Sequence, residues 1–343
     1  MAAPFVHLHS QFQAGAQAPG LLGNALFELL AAVQAQGSIQ RAAGVLGVSY
    51  RHLWGALKRW EQTLGQPLVG WTQGHPARLT PLGLRLLAGE RLVRARQAPQ
   101  IDGLRAEMEQ ALIEALEVPV PAPLALTVLA SPEPLLAALR ERLRQARGLH
   151  LRLLPETSWG ALRALAEGRC DVAAVHRPPP GTVFDAALAA LLGGGRHQVL
   201  AQVQRQMGLM VAPGNPHGLQ VAAALLRPGL RVLQRPAGSG TRALFELLLP
   251  AGSSAPAAAG EEPSHEAAAV AVACGLGDVA LGSEAAARAA GLDFVPLLAD
   301  GWLLLCATAA LQHAAVQALQ QALQTAAWHD SVAALPGHRV VPE

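Results

Sequence analysis

The chain has 343 residues, of which 51% are hydrophobic and 15% charged, with a formal net charge of +2. That length implies about two or three domains, and so apolar a chain excludes wholesale disorder. Lys58 is the single lysine, which excludes a G-x-x-x-x-G-K phosphate loop and argues against Schiff-base chemistry.

The near-neutral total hides an asymmetry. Residues 1–99 hold nine basic residues against three acidic ones, a surplus of six, so the remainder carries −4. Such a basic end points to nucleic acid, and an ordinary solvated helical domain is the plain alternative. Cys170, Cys274 and Cys306 are widely spaced and form neither a C-x-x-C nor a zinc pattern, which fits a reducing compartment. The opening "MAAPFVHLHSQFQ" lacks the order of a signal peptide, and the run near "GWLLLCATAAL" is too short to span a bilayer. A cytoplasmic protein without membrane contact is expected.

In chain order, Leu26, Leu29, Leu30 and Val33 keep the helical spacing i, i+3, i+4, i+7. Gly37 stops that helix and Ser38 caps the next, which carries Ile39, Ala42, Ala43 and Leu46. Gly47-Val48 makes a tight turn, and Ser49 caps a third helix buried through Leu53, Leu57, Trp60 and Leu64. Two short helices across a glycine turn define a helix-turn-helix, whose second helix enters the major groove of double-stranded DNA. Arg51, Gly55, Lys58 and Gln62 lie opposite its buried stripe, flanked by Tyr50, Trp54 and Arg59. "PLVGWTQGHPARLT" reads as a hairpin wing, placing His75 and Arg78 near phosphates. A long amphipathic helix opens at Pro81. A three-helix packing module without DNA is the alternative.

Three prolines in "EVPVPAPLAL" (Pro119, Pro121, Pro123) mark a boundary. The expected organisation is a DNA-binding domain over 1–99, a linker helix and proline segment over 100–123, and a ligand-binding domain over 124–343. From residue 124 strands alternate with helices, implying an α/β fold with mainly parallel sheet. Ser131, Thr157-Ser158 and Gly238-Ser239-Gly240-Thr241 each fall at a strand-to-helix turn. Free N–H groups at several such turns make an anion site without lysine, in the crevice at the strand ends. Arg242 offers a fork for a carboxylate or oxyanion. The plain alternative is that each hydroxyl caps its own helix.

"GSIQRAAGVLGVSYRHLWGALKRWEQTLGQPLV…LTPLGLRLL" resembles the winged helix-turn-helix of ModE and LysR-type bacterial regulators, over roughly residues 22–95 and closer to the ModE form. The resemblance implies Ser49, Tyr50, Arg51, Trp54 and Lys58 on or beside the recognition helix. It also implies a homodimer through helices near 21–36 and 81–117. The wing tip "TQGHPAR" departs from the usual glycine-rich basic stretch. Residues 124–330 resemble a type 2 periplasmic-binding-protein-like domain, through "RQMGLMVAPGNP", "LQRPAGSGTR" and "SHEAAAVAVACGLGDVALGSEAAA". That implies two α/β lobes with crossovers near 201–212 and 295–305, and a cleft lined by Ser131, Ser158, Ser239, Gly240, Thr241 and Arg242. His176, Arg205 and His265 are further candidates. Ser131 is followed by Pro-Glu, where relatives often carry Ser-His-Asp.

The function expected is a ligand-responsive transcriptional regulator without enzymatic activity or cofactor. Its effector is a small anion, with molybdate or tungstate the candidate on the ModE resemblance. A small organic acid is the rival effector, and a ligand-binding protein without DNA contact the rival function. "AGSGT" is not G-x-S-x-G, "CGLGDVALG" ends a helix rather than following a strand, and no H-E-x-x-H occurs.

Overall fold

The computed structural model describes residues 12–13, 21–22, 24–70, 76–115, 125–147, 149–177 and 182–341. They fall into two units, one within residues 7–94 and one from Ala95 onward. His75 and the proline segment at 119–123 lie outside the described residues.

The first unit opens with a short antiparallel pair, β1 (Phe12–Gln13) and β2 (Leu21–Leu22). Then come α1 (Asn24–Gln36), α2 (Ile39–Val45) and α3 (Tyr50–Leu64). Ser38 caps α2 by accepting from the Arg41 N–H, and Ser49 caps α3 by accepting from the His52 N–H. The spacing read from sequence buries Leu26, Leu30, Ile39, Ala42, Leu53 and Leu57 in one core. The wing is the pair β3 (Val69–Gly70) and β4 (Arg78–Leu79). Helix α4 (Pro81–Ala115) follows, running on through Pro99. Its "L-T-P-x-G" entry has a physical reason. Thr80 donates its hydroxyl to the Pro67 carbonyl at 2.8 Å and accepts from the Gly83 N–H at 3.2 Å. A Cβ on Gly83 would stand 2.4 Å from the Leu68 carbonyl oxygen, so no side chain fits where helix meets wing.

The second unit is built on β5 (Ala125–Ala130), α5 (Pro134–Arg147), β6 (His150–Pro155), α6 (Ser158–Ala166), β7 (Val172–Arg177) and α7 (Val183–Gly193). The long β8 (His197–Val211) leads through a 3-10 turn to β9 (Val232–Gln234), α8 (Gly240–Leu248), β10 (Gly260–Glu261), α9 (His265–Ala273), β11 (Val279–Ser283) and α10 (Glu284–Ala289). The long β12 (Asp293–Ala307) returns, and α11 (Ala314–Leu323), α12 (Ala326–Ala333) and β13 (His338–Val340) close the chain.

One sheet runs in the order β10-β9-β11-β8-β12-β7-β5-β6, with β13 also on β8. Each lobe's own strands pair in parallel, β5 with β6 and β7, and β9 with β10 and β11. The long strands pair antiparallel with each other and with both lobes, so the sheet is mixed rather than mainly parallel. One half of β12 lies against the stretch of β8 that also carries β11, and the other half pairs with β7. Two strands are thus shared by two lobes. Side-chain alternation lets β12 serve two cores, with Trp302, Leu304 and Cys306 on one face and Leu303 and Leu305 on the other. Met207, Leu209, Val232, Leu244, Phe245 and Val279 form the core of the second lobe. Residues directly after β5 and β9 and at the end of β7 line the crevice between the lobes.

Candidate functional site

On the first unit, the outer face of α3 is a ladder rather than a set of free charges. Tyr50 is 43% exposed and its ring stacks on Trp54, with centroids 6.2 Å apart and planes 9° from parallel. The Lys58 ammonium sits 4.8 Å from the Trp54 ring centre and donates to Glu61 at 2.7 Å. Glu61 is buried and accepts the Leu68 and Val69 N–H groups at 2.8 and 3.3 Å, fastening the wing to the helix. Burial raises its carboxyl, but the Lys58 hydrogen bond and those two N–H groups outweigh that and hold it below its ordinary value. Arg51, Arg59, Gln62 and Arg78 are exposed, and Ser38, Trp54 and Gly55 half-buried. Lys58 ties one of its donors to Glu61 yet keeps a side chain 46% exposed, so this face offers it together with the exposed arginines.

The cleft of the second unit joins residues from both lobes. Ser131, Ser158, His176, Arg205, Ser239, Gly240, Thr241 and His265 all line it, and Glu133, Arg235 and Trp302 join them. Gly240 is where the lobes touch. A Cβ there would lie 2.3 Å from His176 Cβ, so only glycine lets the start of α8 come this close.

Three hydroxyls share one arrangement. Ser158 accepts the His176 N–H at 3.2 Å, and Ser239 caps α8 by accepting the Arg242 N–H at 3.1 Å. His265 Nδ1 accepts the Ser283 N–H at 2.9 Å, which leaves the neutral ring to donate from Nε2 to Thr241 Oγ1 at 3.0 Å. Burial, then the charges of Arg235 and Arg205, keep His265 well below its ordinary pKa and so neutral. Each hydroxyl thus has an acceptor role engaged by the protein and an O–H left to donate.

The charged groups are unequally satisfied. Arg205 is gripped by Asp300 through Nε and Nη2 at 3.2 and 3.1 Å, and by Glu133 through Nη1 at 3.0 Å. His176 Nδ1 lies 2.6 Å from Asp300. Burial works against the Asp300 carboxylate, but Arg205 and then His176 hold it well below its ordinary range. Arg235, directly after β9 and 4% exposed, has Nε and Nη1 buried without partners. Burial, helped by the charge of Arg205, pushes its guanidinium down to about 10. Burial and then the neighbouring Glu133 push Glu266 up to about 7. His176 Nε2 is also buried without a partner.

Two expected residues lie outside the cleft, and a third lines it without opening a helix. Arg242 pairs with Glu246 one turn along α8 at 2.7 Å and does not line the cleft. Thr157, not Ser158, caps α6; its hydroxyl accepts from the Gly160 N–H and donates to Glu156, outside the cleft lining. Ser131 does not open a helix, because α5 starts at Pro134 and the Ser131 hydroxyl is bound to the Glu156 carbonyl at 3.2 Å. Arg235, Glu133, Asp300 and Glu266 escaped the sequence reading. A signal existed for the first, since Arg235 directly follows the apolar strand "RVLQ", whereas Arg242 stands four residues before an acid.

Burial holds the Cys170 and Cys306 thiols up near 11, far from the thiolate character a redox sensor needs. Among the described residues no group of three His, Cys, Asp or Glu side chains is placed to hold a metal ion, and no helix is long and apolar enough to cross a membrane.

The fold and these two sites define a helix-turn-helix unit joined to a two-lobed ligand-binding unit. Residues 25–84 match the bacterial regulatory helix-turn-helix protein, lysR family, and residues 140–324 match the PBP superfamily domain. The chain belongs to the PBP superfamily and joins to it a lysR-family helix-turn-helix, the architecture of a LysR-type transcriptional regulator. An uncharacterized protein, YvgK, from Bacillus subtilis is 31% identical over 147 residues, which are 41% of this chain and 48% of that protein. The chain thus spans about half the length of that curated relative. A full-length OxyR variant from Pseudomonas aeruginosa is 16% identical, covering 93% of this chain and 98% of its own with a TM-score of 0.45. A putative phosphate ABC transporter substrate-binding protein from Clostridium perfringens, with bound phosphate, is 13% identical, covering 64% of this chain and 100% of its own with a TM-score of 0.49.

Proposed function

We propose that the chain is a cytoplasmic DNA-binding regulator that senses a small anion in the cleft of its second unit. The observation that carries this reading is Arg235, a buried guanidinium with two unpartnered nitrogens in a cleft where Ser158, Ser239 and Thr241 keep O–H groups to donate. Buried N–H groups without acceptors are unfavourable, so Arg235 offers two donors that an entering oxygen acceptor would satisfy. Molybdate and tungstate are the candidate effectors, because hydroxyl and N–H donors suit a tetrahedral oxyanion. Arg235 also gives a small carboxylic acid its fork. Leu104 and Met108, exposed about one turn apart on α4, supply an apolar patch for the expected homodimer. Double-stranded DNA would be gripped by the exposed arginines of α3 and the wing.

The test is calorimetric titration of molybdate, tungstate, sulfate and small carboxylates into the full chain and into R235M. One class is expected to bind at one per chain and to lose binding in the variant. Failure of every anion, or equal binding by R235M, sinks the reading.

A further inference from the structure

The cleft as it stands is nearly full. Its cavity measures about 20 Å³, room for roughly one water molecule and too little for a tetrahedral oxyanion. Part of what fills it is a carboxylate already sitting on an arginine. Glu133 has a side chain only 10% exposed, and its Oε2 lies 3.0 Å from Arg205 Nη1. Asp300 holds the other edge of Arg205, so Nη1 is the nitrogen that Glu133 alone engages.

We propose that Glu133 is a resident carboxylate holding the effector's place, and that a small oxyanion or carboxylate binds by exchanging with it on Arg205 Nη1 while bridging to the open nitrogens of Arg235. The proposal deepens the anion-sensing reading and rests on it. Arg205 then becomes a ligand residue only after exchange, which reconciles its place in the cleft with its full set of partners.

The exchange would be a movement of the Glu133 side chain rather than of its backbone. The Glu133 carbonyl accepts the Leu136 N–H at 3.0 Å at the start of α5, and Ser131 is fixed to the Glu156 carbonyl at 3.2 Å. The backbone on both sides is thus anchored, while only the carboxylate is held by the exchangeable contact. Departure of Glu133 also relieves Glu266, the buried acid whose proton its charge helps to retain. The entering group must supply oxygen acceptors of carboxylate size, which defines the effector class as a small oxyanion or a short carboxylic acid.

The experiment titrates molybdate, tungstate, phosphate, sulfate and acetate calorimetrically into the full chain, E133Q and E133D, with thermal melts of each. A charge-assisted contact no longer has to be broken, so the anion that binds the parent should bind E133Q about tenfold tighter or more. E133D keeps the charge but draws it back from Arg205, and should fall between the two. Ligand-free E133Q should melt lower than the parent, because Arg205 loses a partner, and should gain more from the anion. An anion that binds parent and E133Q equally, or binds E133Q more weakly, overturns the exchange and leaves the anion reading standing. Absence of binding in all three proteins overturns both.

Discussion

Replacing Arg235 with methionine should stabilise the ligand-free protein, the reverse of the usual effect of deleting a buried side chain. The guanidinium is 4% exposed, with Nε and Nη1 unpartnered. Burial lowers its pKa from the ordinary arginine value to about 10, and at about 1.4 kcal/mol per pKa unit the cation is disfavoured in the fold by about 3 kcal/mol. The folded value lies below the unfolded one, so this penalty is complete at neutral pH and lifts only as pH climbs from about 10 toward the ordinary arginine value. Methionine keeps the length without the charge. Glu266 and Glu133 lose a compensating neighbour, so the net gain is about 1–3 kcal/mol, or roughly 2–12 °C for a domain of this size. Differential scanning calorimetry of the ligand-free protein at pH 7 measures it, and the anion-induced rise seen with the parent should vanish. A melting temperature below that of the parent would refute the reasoning, because it would mean that Arg235 is already satisfied.

Asp300→Asn leaves Arg205 and His176 without their shared carboxylate and should cost about 3–5 kcal/mol by chemical denaturation. Because the Asp300 pKa in the fold lies below 3.8, its contribution is present above about pH 4 and is lost as pH falls through the folded value; melts of the variant should therefore lack the parent's extra acid sensitivity. Glu266 is the opposite case. Raised from 4.5 to about 7, it stabilises below about pH 4.5 and that stability is lost as pH rises through 7; Glu266→Gln should flatten a slope of up to about 3 kcal/mol across this window. In the first unit, Glu61→Ala frees the Leu68 and Val69 N–H groups and should cost about 1.5–3 kcal/mol. It should also weaken DNA binding in a mobility-shift assay, although Glu61 faces the wing; unchanged affinity would show that the wing does not need this tie.

The helix-turn-helix was legible because each of its signals is local. Ser38 and Ser49 cap the turns that follow them, Gly37 and Gly47 take positive φ at 58° and 67°, and the i, i+3, i+4 spacing is the core itself. The cleft was legible only in part. Its hydroxyl turns announce themselves beside helix starts, so Ser158, Ser239 and Thr241 could be named. Its charges come together through β8 and β12, and no local pattern brings Glu133, Arg205, Arg235 and Asp300 into one crevice. Arg242 misled for the same reason. Its neighbourhood in sequence is polar and glycine-rich, yet a helix turn aims it at Glu246, while Arg235 is carried inward by the strand it follows. Alternation along β8 likewise hid its outer half, whose polar residues His197, Gln198 and Gln202 pair with β12.

The charge balance of the second unit bears on how an anion would reach the cleft. From Ala95 onward the chain carries a net −3, so at low ionic strength, out to about a Debye length from its surface, the second unit would repel the anion proposed for its cleft. Attraction to Arg235 would act inside the crevice, where burial strengthens it. Binding energy and encounter rate are therefore set by opposite fields. Stopped-flow association of the bound anion should accelerate as a non-competing salt screens the repulsion, while dissociation changes little. Association that slows with salt would mean that the positive field of the cleft extends into solvent, and Arg235 would then act by steering as well as by local pairing.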